Sequence, residues 1–147
     1  MTIIEDSREK KWQHISEYFA RHNINYIVEK LDEGDYMVKG GCISVDRKQN
    51  LNELSRNIFN PKDHSRFWKE VRRCRDKGIK LYILCEHGGK IKSIRDVASW
   101  SDKYSGASGR SLMDALYKLH IAWGVEIIFC SKRSTGKKIL EILSQEK

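Results

Sequence analysis

Apolar residues recur with two different periods along the chain, and the changes of period mark its predicted elements. A short apolar run at residues 2–5 predicts a strand, and helical spacing then predicts a helix from about Arg8 to Arg21. The apolar side chains of that helix are Trp12, Ile15, Tyr18 and Phe19. Residues 25–31, NYIVEKL, predict another strand. The N-terminal part is therefore expected to run strand, helix, strand.

The rest of the chain alternates between helical patterns and continuous apolar runs. The predicted helices lie at 51–59, 64–77, 93–100, 111–122 and 135–143, and the predicted buried strands at 80–85 and 125–130. Antiparallel strands early, followed by strand–helix–strand–helix, predict an α/β fold. We expect a mixed β-sheet flanked by α-helices.

Residues 34–48, GDYMVKGGCISVDRK, contain two strand-like arms on either side of a glycine pair. A two-residue turn at Gly40-Gly41 suits a hairpin, because glycine adopts positive φ without strain. That turn places Asp35 directly opposite Asp46, with Cβ atoms about 5 Å apart. Lys48 lies two residues beyond Asp46 and therefore on the same face of the sheet. The hairpin is expected to bring two carboxylates and one ammonium group together.

Two like charges in direct opposition destabilise a sheet unless something compensates for them. Either one carboxyl group of the Asp35–Asp46 pair stays protonated, or a divalent cation lies between them. Mg²⁺ suits such a site, because it binds carboxylate oxygens and substrate phosphates, and Mn²⁺ is expected to substitute for it. Lys48 would then bind a phosphate oxygen or deprotonate the attacking water. In the alternative interpretation, Asp35 caps a turn and Asp46 forms a surface ion pair with Lys48.

Positive charge is clustered as well as abundant. The formal net charge of +8 and the pI near 9.4 favour a polyanionic partner. One basic cluster lies within residues 66–77 and another within 132–138. A solvated helix face also explains either cluster alone, whereas the two together favour contacts with a phosphate backbone. The candidate DNA-binding residues are Arg72, Arg73, Lys132, Arg133 and Lys137.

The sequence argues against several classes of protein. The N-terminus has only a short apolar run before its charges, and no segment approaches the ~20 apolar residues of a membrane span. The four cysteines lack zinc-ligand spacing, and the apolar surroundings of Cys42, Cys85 and Cys130 predict buried free thiols. Residues 131–138 lack the first glycine of a phosphate-binding loop, which argues against nucleotide binding. We expect one cytoplasmic domain over residues 1–147, with no membrane partner.

Three short elements that carry acidic residues follow one another along the chain. They are Ile4-Glu5-Asp6-Ser7-Arg8-Glu9, Gly34-Asp35-Tyr36 and Val45-Asp46-Arg47-Lys48. Their order and spacing resemble the V-D-x-R-E, G-D and E-R-K-x-x-x-D elements of XPF-type structure-specific DNA endonuclease domains. The resemblance implies a restriction-endonuclease-like fold and cleavage of flap, fork or other branched DNA, in DNA repair or recombination. The expected substrate contains junctions between single-stranded and duplex DNA.

The resemblance also implies roles for individual residues. The implied metal ligands are Asp35, Asp46, Glu9 and the main-chain carbonyl group of Arg47. The implied catalytic set adds Lys48 as the catalytic lysine, with Asp6 and Arg8 supporting the site. Without the resemblance, Asp6 or Ser7 would be interpreted as a helix N-cap and Glu9 as a first-turn acid that compensates the helix dipole.

The chain departs from the family pattern at two positions. Asp46 stands where the family has glutamate, and Asn52 stands where it has the final aspartate. Since asparagine carries no charge, either the neighbouring Glu53 takes over that role or the role is lost. The family also includes non-catalytic partner subunits, so this departure keeps a second function open.

The sequence thus predicts a Mg²⁺-dependent DNA endonuclease, with a non-catalytic DNA-binding subunit as the alternative. An RNA-cleaving or RNA-binding relative also stays open. The family's helix-hairpin-helix and helicase modules are not expected within this chain. Dimerisation through the helices at 111–122 and 135–143 is implied by the resemblance. The Lys- and Ile-rich composition with a single proline suits a phage or bacterial source.

Overall fold

Six strands form one mixed sheet through the middle of the molecule. The computed structural model describes residues 1–102 and 107–146. The strands are β1 (Ile3–Asp6), β2 (Tyr26–Glu29), β3 (Tyr36–Val38), β4 (Ile43–Lys48), β5 (Lys80–Cys85) and β6 (Glu126–Phe129). They lie in the order β2-β1-β3-β4-β5-β6, with β3 antiparallel to both neighbours and the other pairs parallel. The predicted mixed sheet is confirmed.

Helices cover both faces of this sheet. The α-helices are α1 (Gln13–Arg21), α2 (Leu51–Phe59), α3 (Pro61–Asp76), α4 (Gly109–Trp123) and α5 (Thr135–Leu143), and short 3-10 helices lie at Ile94–Ser99 and Lys132–Ser134. One apolar cluster joins α2, α3 and α4 to one face, and another joins α1 and α5 to the opposite face. Burial of these apolar surfaces is the main force that holds the layers together. Along the described ranges, no helix combines the length and the apolar character needed to cross a membrane.

The alternation of side chains along β4 decides which face each polar residue reaches. Ile43 and Val45 belong to the apolar cluster under α1 and α5. Because successive side chains of a strand point to opposite faces, Arg47 projects toward that same side. Asp46 and Lys48 project toward α2 and α3 instead. The C-terminal end of β4 therefore carries polar side chains on both faces of the sheet.

The first helix is shorter than the sequence predicts. It was expected from about Arg8 but begins at Gln13. Lys11 has a left-handed φ of 51°, which a continuous right-handed helix does not allow. Before it, the carboxylate of Asp6 accepts a hydrogen bond from the N–H of Leu31 at 2.9 Å and so anchors the end of β1. These contacts hold residues 7–12 in an irregular segment.

For nearly all the other elements, the predicted first and last residues lie within two residues of the observed ones. The exception is α3, which begins at Pro61 rather than His64. Asn60 caps this helix, because its side chain accepts a hydrogen bond from the N–H of Lys62 at 2.9 Å. Proline suits the first helical position, since its missing N–H has no partner there in any case. The extra turn makes α3 follow almost directly on α2, which ends at Phe59.

The turn between β3 and β4 also differs from the predicted one. Its central residues are Lys39 and Gly40, and the N–H of Gly41 donates to the carbonyl oxygen of Val38 at 2.9 Å. Gly40 takes the left-handed φ, 77°, that such a turn requires at this position. The hydrogen-bonded turn thus lies one residue before the predicted one, within a connection of residues 39–42 that is still centred on the glycine pair.

Two of the three predicted buried thiols are confirmed. Cys85 and Cys130 are buried, whereas Cys42 is exposed. Cys42 lies just before β4, where its N–H and that of Ile43 donate to the carboxylate of Glu146. The main chain at this point is therefore tied to the C-terminal segment, while the thiol stays at the surface.

Gly34 and Gly40 provide a matched test of this hairpin. Both have positive φ, but a Cβ atom on Gly34 would meet Ser44 Oγ and the carbonyl oxygen of Val45 at 3.0 Å, whereas one on Gly40 would meet nothing within 4 Å. Gly40→Ala should cost about 1 kcal/mol from backbone strain alone. Gly34→Ala should cost clearly more, as measured by urea denaturation. Equal losses would contradict the close approach at Gly34.

Candidate active site

A polar cleft of about 380 Å³ opens at the C-terminal ends of β1 and β4. Its acidic lining residues are Asp6, Glu9, Asp32, Asp35, Asp46, Glu53 and Glu70. Its basic lining residues are Arg8, Lys10, Arg47, Lys48 and Arg66. All the residues assigned to catalysis or metal binding from the sequence thus line a single cleft.

The strand register brings Asp35 and Asp46 together as predicted. The observed pairs are Tyr36 with Val45 and Met37 with Ser44, which continue to Asp35 opposite Asp46. The N–H of Asp35 donates to the carbonyl oxygen of Val45 at 2.7 Å, and the N–H of Arg47 donates to Asp35 Oδ2 at 2.8 Å. The one-residue shift of the turn therefore leaves the pairing intact.

The two carboxyl groups respond to their burial in opposite ways. Burial and repulsion from Asp46 and Glu9 hold the pKa of Asp35 well above its usual range. Burial also acts to raise the pKa of Asp46, but Lys48 and hydrogen bonds with Glu70 and Asp35 outweigh it and lower that pKa. Asp46 is thus the ionised member of the pair, and Asp35 holds a proton more readily.

Lys48 lies against the ionised carboxylate. Its Nζ is 3.3 Å from Asp46 Oδ2, and its side chain is 12% exposed. Burial acts to lower the pKa of Lys48, but the surrounding carboxylates, Asp46 and Asp35 first among them, raise it to about 12. Lys48 therefore carries a positive charge at neutral pH. The interpretation of Asp46 and Lys48 as a surface ion pair is wrong, because both side chains are buried at the base of the cleft.

Asp6 and Arg8 form the wall of the cleft at the end of β1. Arg8 Nε lies 3.1 Å from Asp6 Oδ2, and the Arg8 side chain is 63% exposed. Arg8 also donates to the carbonyl oxygen of Leu31 at 2.6 Å. Both residues thus tie β1 to the segment that leads into Asp35.

Arg47 is the centre of a buried ionic network on the opposite face of β4. Its side chain is 1% exposed, and it binds Glu9 through two nitrogens at 2.8 and 3.0 Å. It also bonds Glu86, which in turn bonds His14 Nε2 at 2.6 Å and the hydroxyl group of Thr135. One guanidinium group therefore connects β4 to the start of α1, the end of β5 and the start of α5.

This network changes how Glu9 takes part in the site. Both of its carboxylate oxygens accept hydrogen bonds from Arg47. The negative charge of Glu9 is nevertheless close enough to Asp35 to raise the pKa of that residue. Glu9 thus acts on the pair electrostatically while Arg47 holds its side chain.

Glu70 is a site residue that the sequence analysis missed. It lies on α3 and hydrogen-bonds with Asp46, and burial together with the charge of Asp46 raises the pKa of Glu70 to about 9. The signal that was available is helical spacing. Glu70 lies three residues after Phe67 and four before Cys74, both of which are buried, so an acid falls at the edge of a core-facing stripe.

Asn52 does not line the cleft, whereas Glu53 does. The carboxylate of Glu53 accepts a hydrogen bond from the N–H of Gln49 at 3.0 Å, and the Glu53 N–H donates to Asn50 Oδ1 at 2.9 Å. Glu53 therefore stabilises the first turn of α2 while its charge contributes to the raised pKa of Lys48.

The carboxylate oxygens of the cleft are candidate ligands for a divalent cation. Over residues 1–102 and 107–146, no three or more His, Cys, Asp or Glu side chains form a group that could hold a metal ion. Asp35 and Asp46 nevertheless present adjacent carboxyl groups whose mutual repulsion a cation would relieve. Mg²⁺ needs only one or two carboxylates, because it keeps waters and takes substrate phosphates as further ligands. The residues present fit such an ion.

The candidate DNA-binding residues lie in two places on the surface. Arg72 and Arg73 both lie on α3. Arg72 is exposed beside Trp68 and Trp123, and Nε of Arg73 lies 3.4 Å from Oε1 of Glu33. The residues that precede or begin α5 are Lys132, Arg133 and Lys137, all of them exposed. Lys132 also lines a small pocket next to Arg47. Exposed basic groups thus lie on both faces of the sheet.

Comparisons with known proteins agree with this architecture. A family model described as the ERCC4 domain matches residues 5–143. XPF from Aeropyrum pernix superposes with a TM-score of 0.73 at 17% identity, over 99% of this chain and 64% of that one. The same protein in complex with DNA gives 0.71 at 20% identity, over 98% and 64%. No curated protein sequence matches the chain.

At 17% and 20% sequence identity, the solved structures show the fold of the chain. The TM-scores confirm the restriction-endonuclease-like fold expected from the sequence. The chain spans 64% of the length of each solved XPF chain, so it corresponds to one part of those proteins.

The Arg47 network predicts a large difference between two arginines. Arg47→Met would leave Glu9 and Glu86 buried without their cation, which typically costs about 3–5 kcal/mol. Arg8 is 63% exposed, and the Asp6 carboxylate keeps its hydrogen bond from the Leu31 N–H, so Arg8→Met should cost only about 1 kcal/mol. The free energy of unfolding of each variant, measured in urea, checks this. Similar losses for both would contradict the structural role of Arg47.

Glu70 predicts a pH dependence of stability. Its folded pKa is raised to about 9 from an ordinary 4.5, so the unfolded chain releases this proton first as the pH rises. Glu70 therefore destabilises the fold progressively from about pH 4.5 to about pH 9. Glu70→Gln does not titrate, so its melting temperature relative to wild type should increase between about pH 5 and about pH 8 in EDTA. A constant difference would contradict the prediction.

Proposed function

The chain belongs to the ERCC4-domain family, and we propose that it is a Mg²⁺-dependent endonuclease that hydrolyses phosphodiester bonds in branched, flap or fork DNA. The observation that carries this proposal is the placement of Asp35, Asp46 and Lys48 at the base of one cleft. Two carboxylates that repel each other beside a charged lysine match the requirements of metal-assisted phosphodiester hydrolysis. The family match and the likeness to XPF support a nuclease role.

Lys48 acts as a fixed positive charge in this proposal. Without a bound cation its pKa is about 12, so its ammonium group is protonated at neutral pH. Its ammonium group is suited to bind a non-bridging phosphate oxygen and to stabilise the negative charge that develops there. Asp46, which lies 3.3 Å away, keeps that charge oriented at the base of the cleft.

The proposed cation is held by Asp35 and Asp46, with Glu9 and the carbonyl group of Arg47 nearby. When bound, Mg²⁺ or Mn²⁺ polarises a phosphoryl oxygen and lowers the pKa of coordinated water. The residues of the chain prepare this position. The N–H of Arg47 fixes Asp35 at 2.8 Å, and the Arg47 side chain fixes Glu9.

Basic side chains around the cleft are proposed to bind the DNA backbone. Arg66 and Lys10 line the cleft itself. We propose Arg72 and Arg73 on one side, and Lys132, Arg133 and Lys137 on the other, as contacts to phosphates farther along the strand. The structure of XPF with DNA supports DNA as the ligand of this domain type.

A homodimer remains part of the proposal. The outer surface of α4 exposes Ile121, with 78% of the residue accessible. By contrast, the apolar residues of α5 are buried in the core; they are Ile139, Ile142 and Leu143. We therefore propose α4 rather than α5 as the helix that meets a second copy.

The second candidate function is a non-catalytic DNA-binding subunit that positions an active nuclease. Asn52 favours it, because an uncharged side chain stands where the resembled pattern has an aspartate. In this case the basic surfaces would bind branched DNA while the cleft cuts nothing.

Cleavage assays on a panel of DNA structures test the proposal. Wild type is expected to cut branched DNA with Mg²⁺ or Mn²⁺ and to be inactive in EDTA. Asp46→Asn and Lys48→Ala should each reduce the cleavage rate about 10²- to 10⁴-fold, because each removes a charge at the reacting phosphate. Binding of the same DNA in Ca²⁺ should change little for either variant.

Asp76→Asn and Lys30→Ala are matched controls, since both residues are exposed and lie outside the cleft lining. Equal cleavage by wild type and Asp46→Asn would remove the proposed site. Binding of branched DNA without cleavage in either metal would select the non-catalytic subunit instead.

A further inference from the structure

Two buried oxygen atoms in the cleft lack a hydrogen-bond donor. Within the described part of the chain, Oε1 of Glu70 and Oδ1 of Asn57 have no partner. Glu70 lies on α3 and Asn57 on α2, and both line the cleft that contains Asp46. Leaving such an acceptor buried and unpaired costs on the order of 1–3 kcal/mol. Because two such oxygen atoms lie in the same cleft, we expect a ligand from outside the chain to pair with both.

The missing partner has to be electropositive. Both atoms are hydrogen-bond acceptors, so a phosphate oxygen would be repelled by them rather than bound. Lys48 lines the same cleft, and its ammonium group is already paired with Asp46 at 3.3 Å. Carboxylate and amide oxygens are, however, the ligands that hard divalent cations take from proteins. The chemistry of the two orphan atoms therefore points to a metal ion.

We infer that Glu70 and Asn57 supply oxygen ligands to the divalent cation bound at Asp46. The inference rests on the proposed function, since it adds two residues to the same cation site. Asp46 connects the two sets, because it interacts both with Asp35 from the hairpin and with Glu70 from α3. With Asp35, the set comprises three acids and one amide. In the described residues these side chains are not gathered into a group that could hold a metal ion, so binding would draw Glu70 and Asn57 toward Asp46.

This ligand set also accounts for the neutral side chain at Asn52. Asn52 is absent from the cleft lining, so a carboxylate at that sequence position is not what this cleft uses. Glu70 brings an additional carboxyl group from a different helix. It lies in the middle of α3 and lines the same cleft as Asp46 at the end of β4.

Cation binding measured without DNA tests the inference independently of cleavage. Isothermal titration with Mn²⁺, and with Ca²⁺ as a second probe, gives the affinity of each variant. Glu70→Gln should weaken binding about tenfold or more, and Asn57→Ala should weaken it by a smaller factor. Glu17→Gln on α1 removes an exposed carboxylate far from the cleft lining and should bind as wild type does.

Thermal melting separates a ligand from a residue that only supports the fold. In EDTA at neutral pH, Glu70→Gln should melt at or above the wild-type temperature, because glutamine does not have to take up a proton on folding beside Asp46. In Mn²⁺, wild type should gain stability that Glu70→Gln does not. A lower melting temperature in EDTA with the full gain in Mn²⁺ would show a structural role and overturn the inference.

The outcomes also separate this inference from the proposed nuclease function. If Asp46→Asn loses Mn²⁺ binding while Glu70→Gln and Asn57→Ala keep it, the inference fails and the proposed function stands. If wild type binds no cation in the absence of DNA, the inference fails as well. Loss of binding in Asp46→Asn and Glu70→Gln, with Glu17→Gln unaffected, supports it.

Discussion

The repulsion between Asp35 and Asp46 organises the whole polar end of the sheet. The β3–β4 register places the two residues opposite each other, and the buried strands on either side allow no one-residue slip. A shift of register would move Val45 out of the core and expose it. The carboxylates are therefore held together by the burial of their apolar neighbours. The compensating groups, Lys48 and the Arg47 N–H, come from the same strand.

The pleat of β4 separates two kinds of electrostatics that lie within three consecutive residues. Asp46 and Lys48 face α2 and α3 and line the proposed catalytic cleft, whereas Arg47 faces α1 and α5 and joins separate segments of the fold. The buried guanidinium group neutralises both Glu9 and Glu86. A buried charge of this kind is stable only with full pairing, which fixes the positions of the segments it joins. The positions of Asp46 and Lys48 on one face of β4 thus depend on the contacts that Arg47 makes on the opposite face.

The hairpin and its register could be predicted from the sequence because both are local. Alternation of side chains and the glycines of the turn determine which residues oppose one another, and moving the turn centre to Lys39-Gly40 left that result unchanged. The start of α1 could not be predicted in the same way. It depends on the contact of Asp6 with Leu31, which lies 25 residues away in the chain.

Glu70 and Glu86 show the same limit within the site. Each is brought to β4 by the packing of a separate element, α3 for Glu70 and the end of β5 for Glu86. The sequence around each residue gives only a weak indication. Glu70 lies at the edge of the buried face of α3, and Glu86 directly follows the buried strand β5. Neither signal identifies a partner, because the partner is set by the tertiary fold.

The position of a charge in space, rather than in the sequence pattern, decides what the cleft can bind. Asn52 departs from the resembled pattern, but its side chain does not line the cleft. Glu53 and Glu70 do, and both contribute to the raised pKa of Lys48. A cleft that draws its negative charge from β3, β4, α2 and α3 tolerates the loss of one acid in one motif. The departure at Asn52 is therefore weak evidence against catalysis, whereas neutralising Asp46 would remove the group that interacts with Asp35, Lys48 and Glu70 together.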